Sequence, residues 1–373
     1  MKITILSHNL SSNAVMRAHR LAAAAQQFAE VTLLGPVEST GLWPALPPAD
    51  WIRTAPLKRF PSFHRSFVEL ANACEGDVLI ACKPHVASFA VALVAAERRP
   101  APVILDHDDL DIAFSPRAEW EEKPAMADLK RPGSAVYVSL LTKASVAADG
   151  ITASSSALAQ RFGGTLVPHG CLTGLFDPAA IDREATRREL GFDGPTVLFA
   201  GTPRWHKGLK PLAKAVSHVP GAKLAVLSRP EDISASVAGK YPLLRLPMVP
   251  YPEMPRLLAA ADVVAIPQLD TEVARYQMPI KVYDAMAMGA PIVASAISDL
   301  PSVLDGCGRL VKPGDASELA AALGELLENP SAARDLGKRA RERCLAEFTM
   351  KCVADKLRAA VEQARDNFAK RQR

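Results

Sequence analysis

A segment in the second half of the chain combines a helix start with a cation, and it reads Tyr276-Gln277-Met278-Pro279-Ile280-Lys281-Val282-Tyr283-Asp284. Pro279 suits the first helical turn, because its missing N–H would be unpaired there anyway. The free N–H groups of that turn favour an anion. Lys281 lies in the same turn, where a bound diphosphate would offset the unfavourable position of a cation. Asp284 shares its face and could accept hydrogen bonds from sugar or ribose hydroxyls; the alternative is an ion pair on a solvated helix.

A second segment places basic residues directly after a predicted buried strand. Residues 197–200 are apolar and lead to Gly201, and the next loop carries Arg204, His206 and Lys207 before a new helix. Arg can hold a diphosphate as a bidentate fork, and Lys can hold it as a point charge. This segment is therefore a second candidate for phosphate binding, and the alternative is a set of solvated loop side chains.

Polar residues also follow a strand in the first half of the chain, in the run Asp106-His107-Asp108-Asp109-Leu110-Asp111. Asp106 and Asp108 could form a D-x-D site for a divalent ion on a diphosphate. His107 or Asp108 could instead face a cleft and orient an acceptor hydroxyl. The third interpretation is an Asp-rich turn and helix cap. His8, at the carboxyl end of the first strand, could face the acceptor or be an ordinary loop histidine.

The elements that would position these residues alternate between short apolar runs and longer stretches of helical period. The predicted strands are 2–6, 31–34, 78–81, 103–106, 151–153, 165–167, 196–200, 223–227, 243–246, 263–266 and 292–294. The predicted helices include 14–28, 88–97, 210–216, 253–260, 280–288 and 316–327. This rhythm runs twice and predicts two Rossmann-like, parallel-sheet α/β domains facing a central cleft.

A cluster of Pro, Gly and Asp between residues 168 and 194 predicts the domain boundary. We assign residues 1–168 to an N-terminal acceptor-side domain and residues 169–349 to a C-terminal donor-binding domain. Residues 350–369 have helical period, and we expect this C-terminal segment (350–373) to pack back across the cleft onto the first domain. His169, at the boundary, is interpreted as a hinge residue.

Residues 43–67 are rich in proline, aromatic and basic side chains. Because proline disfavours regular elements, the sequence predicts a structured loop here. A packed surface connection is the simplest interpretation. The same mixture of aromatic and basic residues would also suit an acceptor-binding lip or a weak peripheral membrane contact.

The net charge of the 373-residue chain is +4, from 44 Lys plus Arg against 40 Asp plus Glu. Residues 351–373 hold seven basic and three acidic residues, which accounts for the whole surplus. A nucleic-acid partner is therefore not expected. A content of 49% hydrophobic and 23% charged residues excludes disorder as the main state. The sequence lacks an apolar run of membrane-spanning length, a signal-peptide core and any C-x-x-C pair, so we expect a cytoplasmic protein without zinc or disulfides.

The two basic segments, in this order, resemble the donor domain of family 4 glycosyltransferases of the GT-B fold. That family reads G-R-x-x-x-K-G-x-x-x-L, and this chain has Gly201, Lys207, Gly208 and Leu212. The family then shows E-x7-E before A-M-A-x-G-x-P-V-V-A, and this chain has Asp284-Ala285-Met286-Ala287-Met288-Gly289-Ala290-Pro291-Ile292-Val293-Ala294. Residues 151–158, 167–170 and 251–267 also fit family elements, so the resemblance covers residues 151–350.

The resemblance implies transfer of a sugar from a UDP- or GDP-sugar to an unidentified acceptor, with retention of configuration and without a metal or other cofactor. Such enzymes serve cell-surface glycan or secondary-metabolite biosynthesis. The expected location is cytoplasmic, with at most a peripheral contact to the inner face of the membrane. Lys207 would neutralise the leaving diphosphate and Asp284 would bind the ribose. The implied donor-binding set is completed by Arg204, Val249, Pro250, Tyr276, Gln277, Met278, Pro279 and Lys281. The loop at residues 7–14 supplies the acceptor-side candidates His8, Ser12 and Asn13, and His107 and Asp108 remain catalytic candidates beside Lys207.

The chain departs from the family pattern at several positions. Tyr276 replaces the first Glu and Asp284 the second, Thr202 replaces the Arg with Arg204 nearest to it, and residues 7–14 lack the glycine pair. Residues 279–284 are closer to a P-x-K-x-x-E variant. Two other functions stay open: a sugar-nucleotide epimerase of GT-B architecture and, because of Tyr276 and Asp284, a non-catalytic sugar-nucleotide-binding protein. The oligomeric state is not predicted.

Overall fold

The computed structural model describes residues 1–58, 61–114, 128–229 and 232–373. The chain divides into two compact units. Unit 1 consists of Met1–His169 with Met350–Arg373, and unit 2 consists of Gly170–Thr349. Each unit is built on one parallel sheet, so the predicted pair of parallel-sheet α/β domains is confirmed.

Unit 1 contains a seven-stranded sheet in the order β3-β2-β1-β4-β5-β6-β7. Its strands are β1 (Lys2–Ser7), β2 (Glu30–Val37), β3 (Ile52–Pro56), β4 (Val78–Cys82), β5 (Val103–His107), β6 (Gly150–Ala153) and β7 (Thr165–Leu166). Its helices before residue 169 are α1 (Val15–Ala25), α2 (Phe63–Ala73), α3 (Val91–Arg98), α4 (Ala135–Lys143) and α5 (Ser156–Phe162). Every residue of β4 and β5 is buried, as expected for the central strands of a parallel sheet covered on both faces.

Unit 2 contains a six-stranded sheet in the order β10-β9-β8-β11-β12-β13. Its strands are β8 (Thr196–Phe199), β9 (Lys223–Leu227), β10 (Leu244–Leu246), β11 (Val263–Ile266), β12 (Ile292–Ser295) and β13 (Arg309–Val311). Its helices are α6 (Arg183–Leu190), α7 (Leu209–Val216), α8 (Ala235–Ala238), α9 (Met254–Ala260), α10 (Glu272–Tyr276), α11 (Ile280–Ala287), α12 (Leu300–Val303), α13 (Ala316–Glu328) and α14 (Pro330–Glu347). The Pro267 and Gly201 loops both follow the carboxyl ends of neighbouring strands, so they meet at one edge of the sheet.

The C-terminal helix α15 (Met350–Arg371) belongs to unit 1. Its buried residues recur every three or four positions, at Val353, Leu357, Val361 and Ala364, and they face α1 and β6. The side-chain amide of Asn367 donates to the Asp149 carbonyl oxygen over 2.9 Å. The basic tail is therefore anchored by an apolar stripe and also by the Arg371 guanidinium, which lies 3.1 Å from the Asp149 carboxylate.

The prediction of a loop without regular elements at residues 43–67 is wrong. β3 forms the edge of the sheet and pairs in parallel with β2, from Leu33 opposite Ile52 to Val37 opposite Pro56. An edge strand tolerates proline at its end, because one side of the strand has no ladder to complete. α2 then begins at Phe63, and Arg59 and Phe60 lie outside the described residues. The proposed acceptor lip and membrane contact stay predictions. In the described part of the chain, no helix is both long and apolar enough to cross a bilayer.

Candidate active site

The two basic segments of unit 2 come together where Lys281 meets Gly201. Gly201 follows the end of β8 with φ 141°, and a Cβ atom built there would overlap the Lys281 ammonium. The ammonium also lies 5.8 Å from the centre of the Phe199 ring, a cation–π distance. The φ of 141° favours glycine at this position, and the missing side chain leaves room for the Lys281 ammonium.

Burial lowers the pKa of Lys281 to about 8, Asp284 opposes that shift, and the positive charge of Arg204 adds to it. Lys281 stands in the first turn of α11, whose N-cap residue is Pro279. A proline side chain cannot cap the first N–H groups of the helix. The cation and those N–H groups together favour a bound anion. Without an anion, a cation beside the positive end of a helix is electrostatically unfavourable.

Lys207 is held on the same edge by a short 3-10 turn, Trp205–Lys207. Its ammonium donates to the side-chain oxygen of Gln277, the residue two positions before Pro279. The turn is fixed from behind, since Leu269 N–H donates to the carbonyl oxygen of the buried His206 over 2.9 Å. Arg204 is exposed at the start of this turn. Lys207 and Lys281 thus bring two cations to this edge of unit 2, and Gln277 binds the first of them.

Gly208 directly follows Lys207, and substitution of Gly208 tests how tightly the backbone packs at this turn. The residue has φ 72°, and a Cβ atom there would overlap the backbone carbonyl of Pro267. We expect Gly208→Ala to lower the free energy of unfolding by about 3 kcal/mol, from left-handed strain plus a backbone clash. Gly221→Ala is the matched control, because Gly221 has φ 70° with open space around its Cβ position. Urea unfolding of both variants measures the difference, and equal losses would show that the clash contributes nothing.

Asp284 is buried in α11 and is only 4% exposed, which excludes the alternative of an ion pair on a solvated helix face. The Tyr251 hydroxyl lies 2.9 Å from both of its carboxylate oxygens. Tyr251 follows Val249 and Pro250, the residues expected to frame the base, so the geometry brings that loop to α11. Tyr251 was missed by the sequence analysis, because no local pattern links it to a residue 33 positions away. Tyr276 is half-buried at the end of α10, and Met278 and Pro279 are buried.

In unit 1 the register aligns Ser7, Cys82, Asp106 and Thr152 across four neighbouring strands. The Asp106 carboxylate is fully buried and accepts from Arg17 Nε over 2.9 Å and from Arg17 Nη2 over 2.7 Å. Thr152 Oγ1 donates to it over 2.7 Å. These contacts leave Asp106 tied to the fold, so it does not pair with Asp108 in a D-x-D site. Within the ranges that the structure describes, no group of three His, Cys, Asp or Glu side chains could hold a metal ion.

A lysine that the sequence analysis missed organises the carboxylates after β5. The Lys83 ammonium donates to the Asp109 carboxylate and lies 3.2 Å from Asp111 Oδ1 and 3.8 Å from Asp108 Oδ2. Burial alone would lower the pKa of Lys83, but the three carboxylates raise it above its usual value. The only sequence signal was a lysine directly after a buried strand, which is ambiguous without the fold.

The histidines of unit 1 divide between packing and polar contacts. His107 is buried and its ring stacks on Phe162 at 3.8 Å, and burial lowers its pKa to about 4. His8 stacks on His85 at 4.2 Å, and its pKa is lowered well below the usual value by burial first and by its neighbours His85 and Lys83. His169, expected to be a hinge residue, is buried with Nε2 3.4 Å from Asp108 Oδ1. Ser12 and Asn13 form the turn before α1, through carbonyl bonds to Val15 and Met16. Asp108 therefore makes charged contacts, whereas the His107 ring is used in packing.

Comparison with known proteins agrees with the class that this geometry suggests. Over 99% of this chain and 100% of the other, the structure is similar to sucrose-phosphate synthase from Thermosynechococcus elongatus, with TM-score 0.75 and 21% identity. It is also similar to HepE from Anabaena in complex with UDP-glucose, with TM-score 0.72 and 15% identity, covering 97% of this chain and 99% of that one. These likenesses show the fold, which is that of GT-B glycosyltransferases.

The family model described as glycosyl transferases group 1 matches residues 194–329. That part of the chain is similar to this family, and the resemblance to family 4 glycosyltransferases is confirmed. A relative in Mycolicibacterium hassiacum, an MMP alpha-(1->4)-mannosyltransferase, is 42% identical over 116 residues. The match spans 30% of this chain and about a quarter, 27%, of that relative's length.

Proposed function

We propose that the protein transfers a glycosyl group from a nucleotide-diphosphate sugar to an acceptor hydroxyl. The observation that carries the proposal is the Lys281 ammonium packed against Gly201 at the start of α11, beside the Lys207 turn. Two cations and a helix N-terminus on one sheet edge suit a diphosphate. The group 1 match over residues 194–329 supports the same function.

In the proposed reaction, the bond between the anomeric carbon and the diphosphate oxygen breaks and a bond from that carbon to the acceptor oxygen forms. Negative charge grows on the leaving diphosphate, and Lys207 and Lys281 stabilise it electrostatically. The acceptor proton moves to the leaving phosphate oxygen, which keeps the atoms and charges balanced. We propose retention of configuration and neutralisation by these lysines without a metal ion.

The remaining donor contacts are proposed from position. The ribose would bind near Asp284, with the Tyr251 hydroxyl holding that carboxylate, and the main chain of Gln277, Met278 and Pro279 would line the sugar and phosphate. Tyr276 and Arg204 would flank it, and Val249 and Pro250 would frame a uracil or guanine base. On unit 1, we propose that Asp108 orients the acceptor hydroxyl, and that His8, Ser12 and Asn13 of the first loop also contact the acceptor.

The test is turnover of UDP- and GDP-sugars by the purified chain, with and without a panel of hydroxyl acceptors, followed by NMR of the products. We expect nucleotide release that depends on the acceptor, an α-linked product from an α-linked donor, and full activity in excess chelator. Isomerised donor without acceptor would indicate an epimerase. Nucleotide binding without any turnover would indicate a non-catalytic binding protein, and loss of activity in chelator would remove the metal-independent mechanism.

A further inference from the structure

Lys83 adopts a backbone conformation that few side chains accept. Its φ is 71°, and in the described part of the chain the only other non-glycine residue with positive φ is Ser298. Hydrogen bonds hold it there: its N–H donates to the Asp106 carbonyl over 2.8 Å, and its carbonyl accepts from His85 N–H over 2.9 Å and from Ser88 Oγ over 2.8 Å. Strain of this kind persists where the surroundings enforce it, and it concentrates at functional sites.

The conformation directs a buried ammonium at three carboxylates that lie together on the loop after β5. The Lys83 side chain is enclosed, and it contacts Asp109, Asp111 and Asp108. Without this cation, three like charges would face one another with little water to screen them. The ammonium therefore determines which of the carboxylates can be ionised.

Asp108 is the most exposed of the three carboxylates, with 14% of its side chain accessible. Its Oδ2 faces Lys83, its Oδ1 lies 3.4 Å from His169 Nε2, and its carbonyl accepts from Ser154 Oγ over 2.8 Å. Each carboxylate oxygen thus has a partner on a different side. This arrangement fixes the orientation of the group while a small part of its side chain stays accessible.

We infer that Lys83 and His169 are positioning residues that orient the Asp108 carboxylate and keep it ionised for hydrogen bonding to the acceptor. The role assigned to Asp108 rests on the proposed function, whereas its contacts with Lys83 and His169 do not. His169 acts through geometry, since it fixes one oxygen. Lys83 acts through geometry and charge.

The charges that face Asp108 predict the sign of the effect. Burial and the neighbouring Asp109 raise the pKa of Asp108 to about 7, Asp106 adds to that rise, and Lys83 and Arg17 oppose it. His169 contacts the carboxylate directly, and Asp111 with its His85 partner binds the same ammonium. Removal of the ammonium removes the largest opposing charge, so the pKa of Asp108 rises further.

The experiment compares the pH dependence of kcat in wild type, Lys83→Met and Lys83→Gly, at saturating donor. Lys83→Gly is the second variant because glycine accepts φ 71° without strain, so it removes the ammonium and relieves the backbone. We expect the acidic limb of the kcat–pH profile to move up by at least one pH unit in both variants. Their kcat at pH 9 should stay within about threefold of wild type, and the donor KM should not change. Lys143→Met, an exposed lysine on α4, serves as the control and should superimpose on wild type. A uniform loss at every pH would assign Lys83 a merely structural role and overturn the inference.

His169 and the carboxylate itself are tested separately. His169→Gln keeps a donor near Asp108 and should reduce kcat less than His169→Ala, and equal losses would contradict a positioning role. NMR titration of ¹³C-labelled aspartate carboxyls, with Asp108 assigned from Asp108→Asn, gives a readout that needs no turnover. A resonance that titrates near pH 7 in wild type should move upward in Lys83→Gly, and an unchanged midpoint would overturn the inference. Absence of wild-type turnover would refute the proposed function while leaving this titration decisive for Lys83.

Discussion

Lys281→Met should lower kcat/KM for the sugar-nucleotide donor by about 10²–10³ while the folded protein becomes more stable. The loss follows from removal of the ammonium that faces Gly201. The gain follows because the pKa of Lys281 is lowered to about 8, which means that the fold disfavours the charged form at neutral pH. The melting temperature at pH 7 should rise by a few degrees, on the order of 3 °C. Steady-state kinetics and thermal unfolding measure the two effects.

Two further variants separate a phosphate role from nonspecific charge loss. Lys338→Met removes a lysine on α14 whose side chain is 77% exposed, and it should leave both quantities unchanged. Gly201→Ala keeps Lys281 but displaces its ammonium, so it should lower kcat/KM by less than Lys281→Met does. Wild-type donor kcat/KM should also fall as pH rises through about 8, where the free enzyme loses the cation. Full donor use by Lys281→Met would refute a diphosphate site at this edge.

Most strands of the two sheets were predictable, because central parallel strands are buried on both faces and appear as continuous apolar runs. The runs at residues 223–227 and 263–266 coincide with β9 and β11. The missed strands, β3 and β13, lie at the edges of their sheets. β3 contains a terminal proline and β13 spans only three residues, Arg309–Val311, so local composition gave neither a clear strand signal.

The candidate site was predictable only where a motif was local in sequence. Lys281 and Asp284 share one helix face directly after Pro279, so this short segment indicated an anion site before the fold was known. Lys83 and Asp109 are 26 residues apart, and their contact depends on the pairing of β4 with β5. The Tyr251 contact with Asp284 similarly joins a loop to helix α11, 33 residues further along the chain. Such long-range polar pairs have no periodicity, and this explains why composition and spacing did not reveal them.

Asp108→Asn should separate activity from stability on unit 1 in the same manner as Lys281→Met does on unit 2. We expect kcat to fall by about 10² at pH 8, since a neutral amide holds the acceptor hydroxyl less strongly than a carboxylate does through a charge-assisted hydrogen bond. We also expect the acidic limb of the pH profile to disappear. Asp355→Asn, on the exposed face of α15, is the matched control and should behave as wild type.

The stability of Asp108→Asn follows from the direction of the shift. The folded-state pKa of about 7 lies above the unfolded value, so the protonated carboxyl contributes stability that is lost as pH rises from about 4 through 7. A neutral Asn removes that loss, and the melting temperature should therefore rise more at pH 8 than at pH 5. Thermal unfolding of the variant and of wild type at the two pH values measures this difference in melting temperature. A variant that is destabilised equally at both would show that Asp108 serves the fold, and the acceptor role would then have to pass to another residue of unit 1.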